Sequence, residues 1–183
     1  TVDGIKEYLG SADVVAFDYE TAPDEEYRSE ERAALDPAKA HIVGCSFSVE
    51  EYTGIYVPVE HRTGENIEKK AFYDFLRGFL SDRSIIKVAH NIAFESAISY
   101  ASGMVILPPV YDTICASQMS LKNTYDFRNL SDSGLKTLAK TVIHEPLPTF
   151  EDVTDGKAFD ELDGHGPETV RYGCADSDYA LRL

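Results

Sequence analysis

Three separated segments of this 183-residue chain place carboxylates where they could act as one site. In Val14-Val15-Ala16-Phe17-Asp18-Tyr19-Glu20-Thr21, an apolar, partly β-branched run ends in acid-x-acid. Strand side chains alternate, so Asp18 and Glu20 share a face about 6.5 to 7 Å apart. In His90-Asn91-Ile92-Ala93-Phe94-Glu95 the acid falls in the first turn of a helix that leaves a second apolar strand, where the helix dipole favours an anion. In Tyr172-Gly173-Cys174-Ala175-Asp176 the tyrosine and the aspartate are four apart and share a helix face. Hard oxygen ligands from several elements, with a group to orient a water, are what two-metal phosphoryl transfer needs. The acid-x-acid spacing alone is weak, because 32 acidic residues produce it by chance about five times. Its weight comes from the apolar setting, where desolvating two anions is costly unless a cation offsets the charge.

The elements that must position these groups follow from local patterns. Val2 to Leu9 reads as a short amphipathic helix ended by Gly10, and Val14 to Glu20 as a buried strand ending at the acids and Pro23. Pro23 to Lys39 is acidic with little to bury, a solvated loop or short helix. Ile42 to Val49 and Gly54 to Val59 form a hairpin, with Pro58 at a sheet edge because an inner strand needs every donor. Ile67 to Leu80 carries Phe72, Phe75, Leu76, Phe79 and Leu80 at helical spacing, as core. Ser84 to Ala89 is a strand, Ala93 to Ser102 a helix closed by Gly103, and Val110-Tyr111 a further strand. Asp112 then opens a helix through Leu121, as its N-cap in preference to a ligand. Lys122 to Asp132 reads as a polar loop, Gly134 to Ile143 as a helix, and the last helix runs from Pro167 to Leu183. It ends without a capping signal, which implies a piece of a longer chain. The order gives one α/β domain over residues 1–183, a three-layer α/β/α sandwich around a mixed five-stranded sheet.

Composition excludes several classes. No apolar run approaches the roughly 18 residues of a membrane span. The opening Thr1-Val2-Asp3-Gly4 has no basic and apolar leader pattern, so a cytoplasmic location is expected. Cys45, Cys115 and Cys174 are far apart, and read as reduced, packed thiols. The net charge of −15, from 17 basic and 32 acidic residues, argues against strong autonomous binding to nucleic acid, for which cationic side chains supply most affinity. It predicts weak, metal-dependent binding aided by a neighbouring domain. His61, His90 and His144 show no metal-ligand spacing and read as structural or solvated, and Asp178 faces a different side of its helix from Asp176.

The chain resembles the DEDD 3′–5′ exonucleases of ribonuclease H-like fold, in the subgroup with tyrosine in the third motif, and within them the proofreading domains of DNA polymerase I-type (family A) polymerases. The resemblance rests on Phe17-Asp18-Tyr19-Glu20-Thr21, Val43-Gly44-Cys45-Ser46-Phe47-Ser48, Tyr56-Val57-Pro58-Val59 and Ala89-His90-Asn91-Ile92-Ala93-Phe94-Glu95. It continues through Tyr111-Asp112-Thr113, Thr149-Phe150-Glu151-Asp152 and Arg171-Tyr172-Gly173-Cys174-Ala175-Asp176-Ser177-Asp178, in order over nearly the whole chain. It implies two divalent ions, Mg²⁺ or Mn²⁺ with Zn²⁺ as an option, held by Asp18, Glu20, Glu95 and Asp176. Tyr172 and Glu20 would orient the attacking water, and Thr21, Asn91, Phe94, Phe150 and Tyr172 would line the substrate strand. The implied activity is removal of nucleoside monophosphates from a single-stranded or frayed DNA 3′ end, as a proofreader for a polymerase domain following in the same chain.

Two departures from the family pattern stand out. Glu95 replaces the usual aspartate, and its extra methylene moves the carboxylate about 1.5 Å, so activity is expected to survive with an altered metal preference. The leucine that wedges at the last base in many relatives has no counterpart in Pro23-Asp24 and the acidic stretch after it. Two other readings remain open from sequence: a ribonuclease D-like RNA exonuclease, and a non-catalytic module that binds primer ends. Phe150 reads almost equally as core or as a substrate contact.

Overall fold

The computed structural model describes residues 1–121 and 130–183; most of the polar loop expected over 122–132 lies outside them. Its sheet has five strands, β1 (Val14–Pro23), β2 (Ala40–Ser48), β3 (Ile55–Pro58), β4 (Ile86–Ala89) and β5 (Val110–Asp112), in the order β3-β2-β1-β4-β5. β1 is antiparallel to β2 and parallel to β4, so the sheet is mixed, as expected.

Alternation along β1 sorts its residues between two layers. Val15, Phe17 and Tyr19 enter the main core with Cys45 and Phe47 of β2 and Val57 of β3. Helices α1 (Val2–Leu9), α2 (Lys69–Ser81) and α3 (Ile92–Ala101) cover this face, with Ile5, Phe72, Leu76, Phe79 and Ile98 buried among the strands. The T-shaped pairs Phe17–Phe79 and Phe47–Phe79, at 5.7 and 5.5 Å, are the geometry aromatic quadrupoles favour. The other face carries Ala16, Asp18, Glu20 and Ala22. On it, β2 offers Gly44 opposite Glu20 and Ser46 opposite Asp18. The long last helix crosses this face; Thr169, Tyr172, Gly173, Ser177 and Ala180 form its buried stripe at helical spacing. In chain order it follows α4 (Thr113–Ser120), α5 (Leu135–Leu138) and α6 (Phe150–Thr154), and is α7 (Pro167–Arg182).

Several expectations change at this point. β1 does not stop at Glu20: it pairs with β2 as far as Pro23 opposite Ala40, since the antiparallel partner continues to bond past the proline. The pairing slips between Glu20 and Thr21, where Val43 is the extra residue of β2; its carbonyl accepts from Val59 and Glu60 N–H at 2.8 and 2.9 Å, which stabilises the bulge. The helix expected over 134–143 is one α-turn running into a wider π-turn, Ala139–Ile143. The acidic stretch after β1 forms two 3₁₀ turns, Glu25–Tyr27 and Ala33–Leu35. It is tied down rather than free: Ala33 is buried, and Arg28 reaches the buried Asp160. Of the thiols, Cys45 is buried and Cys174 half-buried, but Cys115 is exposed on α4, so not all three are packed. Among the described residues no helix is long and apolar enough to cross a membrane.

Candidate active site

β1 pairs with β4 only over Val14–Ala16, since β4 ends at Ala89 and turns away, while β1 runs on against β2. Asp18 and Glu20 therefore project where the parallel half of the sheet has stopped, the kind of switch point at which α/β sheets bind ligands. Asp112, at the end of β5, fixes the corner beside it. One of its oxygens accepts from Asn91 N–H at 2.9 Å and from Ile114 N–H at 3.0 Å, so it caps α4, as expected, and also anchors the turn into α3. Asn91 sits there at φ 71°, a left-handed conformation that asparagine tolerates better than most residues. Its side chain is exposed. The turn directs Glu95 inward, where it is 1% exposed. Four residues on, Ser99 holds α3 to β1 through a 3.0 Å bond with the Tyr19 hydroxyl.

From above, α7 brings Asp176 to the pair on β1. Asp18, Glu20 and Asp176 each offer an oxygen within 4.8 Å of the others. Glu95 falls outside that group of three, yet its charge acts on Asp18. Burial raises the pKa of all four acids. Asp18 is pushed up further by Asp176, Glu95 and Glu20, and Glu20 by Asp176. Asp176 is raised to about 6, and Glu95 to about 8, with Asp112 adding to its burial. Glu20 Oε1 and Glu95 Oε2 are buried without a hydrogen-bond partner among the described residues. Buried carboxylate oxygens are normally satisfied, so a hard-oxygen donor set with two orphaned atoms fits divalent cations.

Lys136, on the single turn of α5, is the counter-charge that the described residues bring to these acids. Its ammonium donates to the Tyr172 hydroxyl at 3.1 Å, lies 4.9 Å over that ring, and lowers the pKa of Asp18, Glu20 and Asp176. Sequence reasoning missed it, since a lysine in a one-turn helix carries no spacing signal. In Lys136→Met the carboxylates lose this partner, so thermal melts at pH 8 with chelator should show a protein less stable by about 1 kcal/mol; an unchanged melt would deny the interaction.

The residues expected along the substrate strand are placed unequally. Phe150 is 42% exposed, stacked on Phe159 at 6.1 Å and edge-on to Tyr172 at 6.4 Å, so it is neither wholly core nor free. Phe94 is half-buried against the main core. Thr21, one past Glu20, points its hydroxyl to the Ala34 carbonyl at 2.7 Å. Of the histidines, His61 is buried and His90 bonds Thr113, in keeping with structural roles. Asp178 accepts from Tyr52 N–H at 2.6 Å and pairs with Arg182, away from the other acids. A cavity of about 590 Å³ lies elsewhere, between α1 and β3, and no acid of the site lines it. An acidic site that grips its ligand through cations does not need an apolar pocket.

A family model described as 3′-5′ exonuclease matches residues 2–183. DNA polymerase I of Pseudomonas aeruginosa is 29% identical over 186 residues, covering 96% of this chain but 18% of its own length. DNA polymerase I of Chloroflexus aurantiacus is 27% identical, covering 84% of this chain and 16% of its own. The chain thus spans less than a fifth of the length of these relatives. Among solved structures, Brucella melitensis NrnC with bound Mg²⁺ superposes with a TM-score of 0.66 at 21% identity, over 95% of this chain and 72% of that one. Trypanosoma brucei RNase D in complex with RNA U12 does so with 0.69 at 16%, over 98% and 57%. These likenesses bear out the expected α/β fold.

Proposed function

The chain belongs to the 3′–5′ exonuclease family whose model spans it, and from that premise we propose that it hydrolyses DNA from the 3′ end to nucleoside monophosphates with two divalent ions, proofreading for a polymerase domain of the same protein. The observation that carries this reading is the meeting of Asp18, Glu20 and Asp176 beside a tyrosine hydroxyl, with two buried carboxylate oxygens left unpartnered among the described residues. Asp18, Glu20 and Asp176 would hold one ion, and Asp18 and Glu95 would hold the other. When bound, such ions make a water more acidic and offset the charge that grows on the phosphodiester oxygens. The protein's own groups do the rest. Lys136 fills a lone pair of Tyr172 Oη, leaving the phenol O–H to donate to the attacking oxygen, and Glu20 would accept that water's hydrogen on the carboxylate oxygen turned away from the ion. Phe150, partly exposed beside Tyr172, offers a face on which a base can stack.

The polymerase I relatives favour DNA, and the neighbour solved with RNA U12 favours the alternative of an RNA exonuclease. Single-stranded DNA and RNA oligonucleotides, labelled at the 5′ end and incubated with Mn²⁺, with chelator, and with the Asp18→Ala protein, decide between them. We expect a metal-dependent ladder shortening from the 3′ end, faster on DNA and absent in Asp18→Ala. Faster loss of RNA would establish the ribonuclease reading. No ladder on either substrate would leave a module that binds ends without cutting them.

A further inference from the structure

Tyr56 of β3 lies on the acid-bearing face of the sheet, directly opposite Ser46 of β2, which is itself opposite Asp18. Its ring fills space on two sides that only glycine can leave open. A Cβ on Gly44 would fall 1.9 Å from the Tyr56 hydroxyl, and one on Gly173 would fall 2.5 Å from its ring. Gly44 faces Glu20 in the sheet, and Gly173 stands between Tyr172 and Asp176 on α7. The hydroxyl is fixed as well. His61 Nδ1 faces the Leu162 carbonyl at 2.9 Å and must carry the proton there, so Nε2 accepts from Tyr56 O–H at 2.7 Å. Ring contacts continue from Tyr56 to Phe159, edge-on at 6.4 Å, and from Phe159 to Tyr172, tilted at 5.8 Å.

We propose that Tyr56 is a positioning residue of this site: wedged between Gly44 and Gly173 and locked by His61, it sets the height of α7 above β1 and so the placement of Tyr172 and Asp176 against Asp18 and Glu20. The proposal rests on the exonuclease reading for its kinetic consequences, but not for its geometry. Because a misplacement of about 1 Å in a reacting constellation costs about 10²-fold, the wedge should be read out in turnover and in metal affinity, not in substrate binding.

The test compares Gly173→Ala, Tyr56→Phe, Tyr56→Leu, and Gly173→Ala combined with Tyr56→Leu. Each is assayed for kcat and KM on a DNA oligonucleotide, for Mn²⁺ affinity by calorimetric titration, and for Tm. Gly173→Ala should lower kcat about 10²-fold and weaken Mn²⁺ binding, with KM nearly unchanged. Adding Tyr56→Leu makes room for the new methyl group and should recover about tenfold of the loss. Tyr56→Phe keeps the wedge but loses the lock, and should lower kcat about fivefold. A folded Gly173→Ala protein with wild-type Mn²⁺ affinity and kcat would overturn the proposal. Should that variant not fold, wild-type values for both Tyr56→Phe and Tyr56→Leu would do the same. A wild-type protein that binds Mn²⁺ but degrades nothing would remove the exonuclease reading, while the titrations would still decide the role of Tyr56; one that binds no Mn²⁺ would remove both.

Discussion

Asp18→Asn is expected to lower metal-dependent hydrolysis by about 10³- to 10⁵-fold, the rate equivalent of several kcal/mol of lost transition-state stabilisation. Asp18 is the acid on which the others converge: Asp176, Glu95 and Glu20 all raise its pKa, after burial itself. It is also the residue assigned to both ions. The amide keeps the shape and cannot ionise, so the same variant should have a second effect of opposite sign. It removes one of several repelling anions, and the metal-free protein at pH 8 should melt higher than wild type. A protein whose activity stayed within tenfold of wild type would sink the two-metal assignment. Lost activity without the gain in metal-free stability would leave the repulsion unsupported.

The second large effect is a dependence of stability on pH that metal should abolish. A carboxyl whose pKa is raised by folding binds more protons in the native state than in the unfolded one between the two values, so stability falls as pH rises across that window. For Asp176 the window runs from 3.8 to about 6, and for Glu95 from 4.5 to about 8. Between pH 4.5 and pH 8, in chelator, the protein should therefore lose up to about 7 kcal/mol, at about 1.4 kcal/mol for each pKa unit. For a chain of this length that is roughly 14 to 28 °C in Tm. Millimolar Mn²⁺ at pH 8 should restore it by binding only the native state. Melting curves with and without Mn²⁺ at pH 5, 6.5 and 8 check this. Metal-free Tm values that stay flat or rise over that range would mean that the acids are not held against one another.

What could be read from the sequence was what local periodicity determines. Alternation put Asp18 and Glu20 on one face of a strand, and helical spacing put Tyr172 above Asp176; neither depends on distant residues. Asp112 as an N-cap was legible for the same reason, whereas its second bond to Asn91 N–H needs β4 and β5 side by side. The end of β1 was misplaced because Pro23 looks like a terminator, while the actual limit is set by how far β2 continues to pair. Lys136 and Tyr56 escaped because their roles arise from approach in space: one reaches Tyr172 from a single helical turn, the other stands between a strand and α7. No pattern within a dozen residues encodes either contact.

The two outermost strands bear on how this unit lives beside other chains. β3 has four residues and ends in Pro58, which has no N–H to offer and whose carbonyl is already taken by Ile67 N–H at 2.9 Å. β5 has three, entered directly from Pro108-Pro109. Exposed strand edges are templates on which foreign chains add themselves, and short, proline-bounded edges deny that template. The sheet is thus closed to recruitment at both sides, so any covalent or non-covalent neighbour must meet it through helices and loops, and crowding at high concentration should not convert it into stacked sheets.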